Sequence, residues 1–303
     1  MTIPPDAVTP LKARVLSSMM SSVAGAKNDG AWDNLFQLLV ANGNTTDPLL
    51  LSPLSSISQS SPISSIGSIK GLSATGRNMA LADPESAYKM ISVINNLDVL
   101  YKAQFSELSQ MKSDVLQMQD VGKNLGSVMT STGHDSIKLR LLGFVGQYNN
   151  WIRRYTPDIQ QGGLLAGTQA AQVSQYELEQ NIKSRFFGAG DGIHGLGDLG
   201  ITIDPYTHLA AMDTARLDTQ LAANKQGVVN TVQEFGENFA KSASLLVSDG
   251  NFFSKQLDNL DRGIDYIADN KDALQQEFGA GDAACPTGQL ASALADYNRS
   301  SKT

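Results

Sequence analysis

The side chains that most often carry catalysis or bind metals are few in this chain and lie far apart in the sequence. The three histidines, His134, His194 and His208, each stand in loop or helix-start sequence, and none belongs to a recognisable ligand motif. Because zinc sites need ligands at short, regular spacings, the sequence predicts no metal site and no bound cofactor. The single cysteine, Cys285, excludes an intramolecular disulfide, and its Gly/Ala/Pro surroundings predict a free and exposed thiol.

Two glycine-rich stretches, GAGDGIHGLG and GLGDLG, share their composition with phosphate-binding loops. No strand is predicted before them and no Gly-Lys-Ser/Thr follows, so loop and turn conformations explain the glycines better. Asp191 and Asp198 in these stretches lack the alternating carboxylates and closing glutamate of a calcium loop. The chain also has no GxSxG elbow and no paired Glu/Asp motif of a wall hydrolase, and we therefore expect that it is not an enzyme.

Composition argues against further classes of protein. The 303 residues are 41% hydrophobic, which is adequate for a core, but the net charge is −7 and the pI is near 5.0. An acidic chain without a basic field does not hold phosphates, so no nucleic-acid partner is expected. No run of about 18 apolar residues occurs, which predicts no membrane span. The first ten residues, MTIPPDAVTP, lack a basic and then apolar leader, so export would need a route without leader cleavage.

Changes in composition divide the chain into four parts. Hydrophobic spacing predicts two amphipathic helices, at 9–26 and 31–40, ahead of a stretch in which Ser, Pro and Gly alternate with isolated Leu and Ile. That stretch is either a linker or an extended arm, and its many Ile and Leu residues favour the arm. The predicted parts are N-terminal amphipathic helices at 1–42, a Ser/Pro/Gly-rich arm or linker at 43–82, a helical coiled-coil core at 83–278 and a flexible C-terminal tail at 279–303.

Two long segments carry hydrophobic residues at spacings of three and four over several turns, which is typical of a coiled coil. The first runs from 84 to about 125, with Asp83 expected to cap its start, and the second spans 252–278. Two such helices far apart in sequence are natural antiparallel partners, although periodicity does not distinguish a core within one chain from a contact between subunits. The residues expected in these core or assembly seams are Phe105, Leu108, Val115, Met118, Leu257, Leu260, Ile264 and Ile267.

The middle of the chain is also predicted to be helical, with very little strand. A helix should begin near Ile137 and stop at Pro157, and three more are predicted at 168–186, 207–224 and 226–246. Residues 201–203 form the one convincing strand of the sequence, and no pairing partner for it is evident. The expected fold class is therefore mainly α, with long antiparallel coiled-coil helices, a helical core and minimal β structure.

Four short motifs follow one another in the middle of the chain: FVGQYNNWI, GGLLAGTQ, LGDLGITID and AAMDTARLDTQLAANKQGVVNTV. Their order and key residues resemble the C-terminal region of the flagellar filament cap protein family, the second hook-associated protein. The segment AQFSELSQMKSDVLQMQDVGKNL resembles that family's N-terminal coil, and QQEF at the end of the last long helix resembles its terminal coil. The matching residues are Phe144, Val145, Tyr148, Asn149, Gly163, Leu165, Ala166, Gly167, Leu196, Asp198, Leu199, Gly200, Ile201, Asp213, Leu217, Leu221, Asn224 and Val229, and Thr168 stands where the family has Asp.

The resemblance covers roughly residues 97–278 and implies the helical and coiled-coil core of a cap protein. The family has large β-rich plate domains between its N-terminal coil and the FVGQYNNWI helix, whereas this chain has a short polar segment there. The expected core or assembly residues therefore also include Phe144, Tyr148, Leu199 and Ile201.

The function implied by the resemblance is that of a structural, self-assembling component of a flagellum-type axial appendage, or of its cap or junction. Such a protein would be exported by the type III route and would lie outside the cell. Its expected partners are further copies of itself and other flagellar axial proteins, and the class also admits an export chaperone. The alternative is a needle-tip or translocator-like protein of a virulence type III secretion system, a class that also has long antiparallel coils and is often acidic.

Overall fold

The computed structural model describes residues 71–186 and 192–301, so the helices predicted at 9–26 and 31–40 and most of the arm at 43–82 lie outside the described residues. In the described part, 70% of the residues are helical and 4% are in strands, which confirms the prediction of a mainly α protein. The helices are α1 (Pro84–Gly126), α2 (His134–Ile159), α3 (Gln169–Lys183), α4 (Thr214–Ala223), α5 (Lys225–Val247), α6 (Phe252–Phe278) and α7 (Gly288–Ser300), and the strands are β1 (Ile201–Ile203) and β2 (Ala210–Met212).

The chain divides into two compact units. Of the described residues, unit 1 contains 71–107, 161–167 and 256–301, and unit 2 contains 108–160, 168–186 and 192–255. Helices α1 and α6 each contribute residues to both units.

Apolar residues of α1 and α6 form the main described cluster of unit 1. The start of α1 is capped as predicted, since the Ser86 backbone N–H donates to the Asp83 carboxylate at 3.1 Å. The segment just before α1 lies beside the end of α6, where the Asn78 side-chain amide donates to the Glu277 carbonyl at 2.8 Å. The buried members of the cluster are Ala87, Ile91, Ile94, Ile267, Leu274 and Phe278.

Helix α7 corrects the prediction of a flexible tail from residue 279 onward. Leu290 and Ala293 are buried and cluster with residues of α1 and with Leu164, while Tyr297 packs edge-on against the Phe105 ring at 5.9 Å. Small residues such as alanine give a weak hydrophobic pattern, which is why the sequence does not reveal this helix. Cys285, in the connection before α7, is half-buried and not fully exposed as predicted.

Helix α5 supplies the aromatic centre of unit 2. Its Phe235 and Phe239 are buried and pack edge-on against Phe144 of α2, with ring centroids 5.1 Å and 5.0 Å apart. Helix α5 also contacts α3 and α4, so four helices of this unit share one apolar core. Helix α2 runs two residues beyond Pro157, the predicted end, and stops at Ile159.

In unit 2, the backbones of α1 and α5 come into close contact. A Cβ atom added to Gly236 would lie 2.4 Å from the Gly126 amide nitrogen and 2.7 Å from the Gly122 carbonyl oxygen. No residue with a side chain fits between two backbones at that distance. The Gln233 side-chain amide adds a hydrogen bond of 2.6 Å to the Val128 carbonyl just beyond α1. The C-terminal part of the first predicted stripe therefore packs against α5.

The two strands form an antiparallel hairpin that the sequence predicts only in part. Ile201 pairs with Met212 and Ile203 pairs with Ala210. The sequence predicts a helix from 207 to 224, whereas helix α4 begins at Thr214, where the Asp213 side chain caps it by accepting from the Arg216 N–H at 3.0 Å. The residues Ala-Ala-Met of β2 favour a helix in isolation, so their extended conformation is imposed by tertiary contacts.

Replacing Gly236 with alanine should destabilise unit 2, because α1 and α5 must move apart to admit the methyl group. We expect a loss of about 1–3 kcal/mol in the free energy of unfolding, the usual cost of overpacking. The matched control is Gly143→Ala on α2, where the added Cβ has nothing within 4 Å, and it should gain about 0.5–1 kcal/mol through helix propensity. Urea unfolding followed by circular dichroism measures both variants, and equal effects would contradict the close backbone contact.

Candidate functional site

Two adjacent residues of α2 hold the β hairpin through its backbone. The Asn149 side chain acts like a neighbouring strand, since its amide donates to the Ala210 carbonyl at 2.9 Å and its oxygen accepts from the Ala210 N–H at 2.7 Å. The buried Tyr148 hydroxyl donates to the His208 carbonyl at 3.0 Å, and burial raises the pKa of this phenol. Asn149 therefore satisfies backbone groups on the side of β2 that faces away from β1, and Tyr148 satisfies a carbonyl of the turn before β2.

The turn between the strands is organised by Asp204. One of its carboxylate oxygens accepts from the backbone N–H groups of Tyr206 and Thr207, at 2.9 Å and 2.7 Å, and from the Thr207 hydroxyl at 2.9 Å. These hydrogen bonds to the ionised form, those to Thr207 first among them, lower the pKa of the carboxyl group. His208 follows with φ of 57°, a left-handed conformation that is uncommon for a residue with a side chain. The turn thus presents the His208 carbonyl to Tyr148 and its ring to α3.

A buried glutamate on α3 receives the His208 ring. The Nδ1 atom of His208 lies 2.8 Å from the Glu179 carboxylate, and the Lys183 ammonium group donates to the other oxygen of the same carboxylate. Burial opposes ionisation of Glu179, but the hydrogen bonds from Lys183 and His208 outweigh it, so the pKa of this carboxyl lies below its usual value. The charge of Glu179 is thereby compensated within unit 2.

The LGDLG segment is the turn that leads into β1. Asp198 accepts from the His194 N–H at 2.9 Å with its side chain, and its carbonyl accepts from the Arg216 side chain at 3.0 Å. Gly200 has φ of 90°, and a Cβ there would lie 2.8 Å from the Asp213 carbonyl oxygen. A residue without a side chain is required at this point for β1 to begin beside the end of β2.

The residues of the predicted core or assembly set fall into two groups and do not form one site. Ten of the twelve are buried, and Phe105 and Leu257 are half-buried. Unit 1 contains Phe105, Leu257, Leu260, Ile264 and Ile267, and unit 2 contains Leu108, Val115, Met118, Phe144, Tyr148, Leu199 and Ile201. In unit 2, the residues of the first and third motifs meet at the β hairpin.

Sequence reasoning missed the partners of the hairpin. From the sequence, Glu179 is expected at the surface because Lys183 follows it at the i+4 spacing of a helical ion pair, and His208 is expected to be isolated. The side chain of Ala210 does not indicate its role, because the hydrogen bonds to Asn149 are made by its backbone N–H and C=O groups. The one available indication was the Asp204-Pro205 pair, which is typical of a turn and argues against a helix starting at 207.

The side chains around the hairpin bind its backbone groups and compensate the charge of Glu179. Within residues 71–186 and 192–301, no group of three or more His, Cys, Asp or Glu side chains is placed to hold a metal ion. None of the helices in those ranges is long and apolar enough to cross a bilayer. Comparison of the chain with protein-family models, with curated proteins and with solved structures finds no match. A function therefore has to be inferred from the residues themselves and from their packing.

Replacing Asn149 with alanine should loosen the hairpin, because the N–H and C=O groups of Ala210 both lose their partner. We expect a loss of about 1–3 kcal/mol in the free energy of unfolding and faster hydrogen exchange at the Ala210 amide. Asn150→Ala, at the exposed neighbouring position, is the matched control and should stay within about 0.5 kcal/mol of the parent. If both variants exchange the Ala210 amide at the parental rate, Asn149 does not hold the strand.

The Glu179 carboxylate should make stability depend on pH in the acid range. Because its pKa is lower in the folded chain, its contribution is fully present above about pH 4.5, the ordinary value, and is lost as the pH falls through the folded value. The stability difference between the parent and Glu179→Gln should therefore shrink on acidification below that point. Urea midpoints across the acid range measure it, with Glu177→Gln as a control on the same helix. A difference that grows on acidification would contradict this account.

Proposed function

We propose that this chain is a structural, self-assembling component of a flagellum-type axial appendage or of its cap or junction, exported by the type III route. The observation that carries the proposal is the meeting of separate motifs at the β hairpin. Tyr148 and Asn149 of the first motif bind the backbone of His208 and Ala210, next to the strand that begins at Ile201 of the third motif. Two of the motifs that resemble the cap family therefore act together in holding the hairpin.

The long helices support the same proposal. In the cap family, an N-terminal coil pairs with a C-terminal coil, and here the beginning of α1 and the end of α6 share a buried apolar cluster in unit 1. We assign the beginning of α1 and the end of α6 to an antiparallel coiled-coil pair. Its first layers consist of Ala87, Ile91 and Ile94 on α1 and of Ile267, Leu274 and Phe278 on α6.

The use of polar groups favours a structural role over catalysis. Lys183 and His208 each bond the Glu179 carboxylate, and the Tyr148 hydroxyl bonds a backbone carbonyl. A general acid or base needs a proton that it can exchange with a substrate in a cleft, whereas these groups are occupied in holding the hairpin. We therefore include the absence of enzymatic activity in the proposal.

Exposed apolar side chains on the helices favour assembly. Leu139 is 67% exposed, Tyr176 is 61% exposed and Leu245 is 56% exposed, and all three lie on helices of unit 2. In the proposed assembly, these side chains would be available for contact with another subunit. Partners of this kind include further copies of the chain and other axial proteins.

Electron microscopy and light scattering of the purified chain test the proposal. We expect defined oligomers, rings or filaments whose mass rises with protein concentration, because assembly is a concentration-dependent equilibrium. A species that stays monomeric over a wide concentration range would overturn the proposal.

Deletion of the coding sequence distinguishes the flagellar role from the virulence alternative. Loss of motility is expected for an axial component. Loss of effector delivery in a strain that still swims would instead identify a needle-tip or translocator-like protein. Complementation with the intact chain, and with the Asn149→Ala variant as a destabilised comparison, ties the phenotype to the folded protein.

A further inference from the structure

One exposed face of α2 combines leucines with bare backbone. Leu139 is 67% exposed and Leu142 is 40% exposed. Gly143 and Gly146 are exposed as well, and a Cβ atom on either glycine would have nothing within 4 Å. At 3.6 residues per turn, these four positions fall within about 100° around the helix axis. They define the leucine–glycine face of α2.

An acidic and a basic side chain lie at the two ends of the leucine–glycine face. Asp135 and Arg153 are both exposed and are eighteen residues apart, which corresponds to about five full turns of a helix. The two side chains therefore lie in line, on the same side of α2 as the leucines and glycines. The cations of α2 that are paired with acidic side chains of the described chain are Lys138 and Arg154. Asp135 and Arg153 are thus available to another molecule.

Opposite charges at its two ends make the leucine–glycine face complementary to itself. When the α2 helix of a second copy lies antiparallel, Asp135 of each copy meets Arg153 of the other. In a parallel pair, each charge would meet its own counterpart, and like charges brought together at an interface oppose association. The charges therefore select a second copy of the same face in the antiparallel orientation.

The register set by these charges also places leucine on glycine. Leu142 lies seven residues after Asp135. Gly146 lies seven residues before Arg153, so Leu142 of each copy faces Gly146 of the other. A glycine without a side chain leaves a depression on the helix surface that admits a leucine. The two helices can then approach closely, as α1 and α5 do at Gly236 within unit 2.

We infer that the leucine–glycine face of α2 binds the same face of a second copy of the chain in a two-fold symmetric, antiparallel pair. The inference rests on the self-assembly proposed above and assigns a surface to it. The contact is isologous, since each copy contributes the same residues. It therefore closes as a dimer, and larger assemblies are built from such dimers through other surfaces.

Charge-reversed variants test this contact by complementation. Asp135→Lys and Arg153→Glu should each weaken dimerisation by about tenfold or more, because each places like charges opposite one another at both ends of the pair. In an equal mixture of the two variants, a pair made of one copy of each has opposite charges at both ends. The mixture should therefore dimerise with nearly the affinity of the parent. Sedimentation velocity over a concentration series measures dimerisation, and native mass spectrometry with one variant isotopically labelled identifies the mixed pairs.

The double variant that combines Asp135→Lys with Arg153→Glu tests the antiparallel register. It should dimerise with itself with nearly the parental affinity, because both charges are reversed together. It should not pair with the parent, because every charge would then meet a like charge. If the double variant pairs with the parent as readily as with itself, the antiparallel register is wrong.

Matched controls carry charge reversals of the same kind on a different helix. Glu234→Lys and Lys241→Glu lie at exposed positions of α5 and should leave dimerisation unchanged, alone or mixed. If the single α2 variants dimerise like the parent, or their mixture dimerises no better than either alone, this contact is wrong while the proposed function stands. If the parent itself stays monomeric, the proposed function and this contact both fail. Recovery in the mixture also demonstrates that both variants fold.

Discussion

The contact between the backbones of α1 and α5 sets the distances in unit 2. Because Gly122, Gly126 and Gly236 carry no side chains, the two helices approach until their main chains touch. Phe239 of α5 then reaches the level of Gly122, and together with Phe235 it forms the surface against which Phe144 of α2 packs. An aromatic core of this kind transmits small changes in helix spacing, since protein interiors are packed to the density of crystals.

The position of α2 in turn decides whether the hairpin forms. Strands of three residues are too short to be stable on their own in water. One side of β2 pairs with β1, and the other side relies on Asn149, one turn and a half along α2 from Phe144. The His208 carbonyl and ring are bound by different helices, the first by Tyr148 and the second by Glu179. The hairpin is therefore a tertiary structure that helices impose on a segment with little strand propensity.

The sequence predicts those features whose signal lies in nearby residues. The bounds of α6, the cap at Asp83 and the strand at 201–203 follow from spacing, from a short acidic side chain and from β-branched residues next to a glycine. The hairpin partner at 210–212 does not follow, because Ala-Ala-Met favours a helix and its strand conformation comes from Asn149, 61 residues before Ala210. Helix α7 is missed for a related reason, since its small buried residues give little hydrophobic periodicity. The role of Gly236 cannot be predicted either. A glycine inside a helix only indicates lower helix stability until the helix packed against it is known.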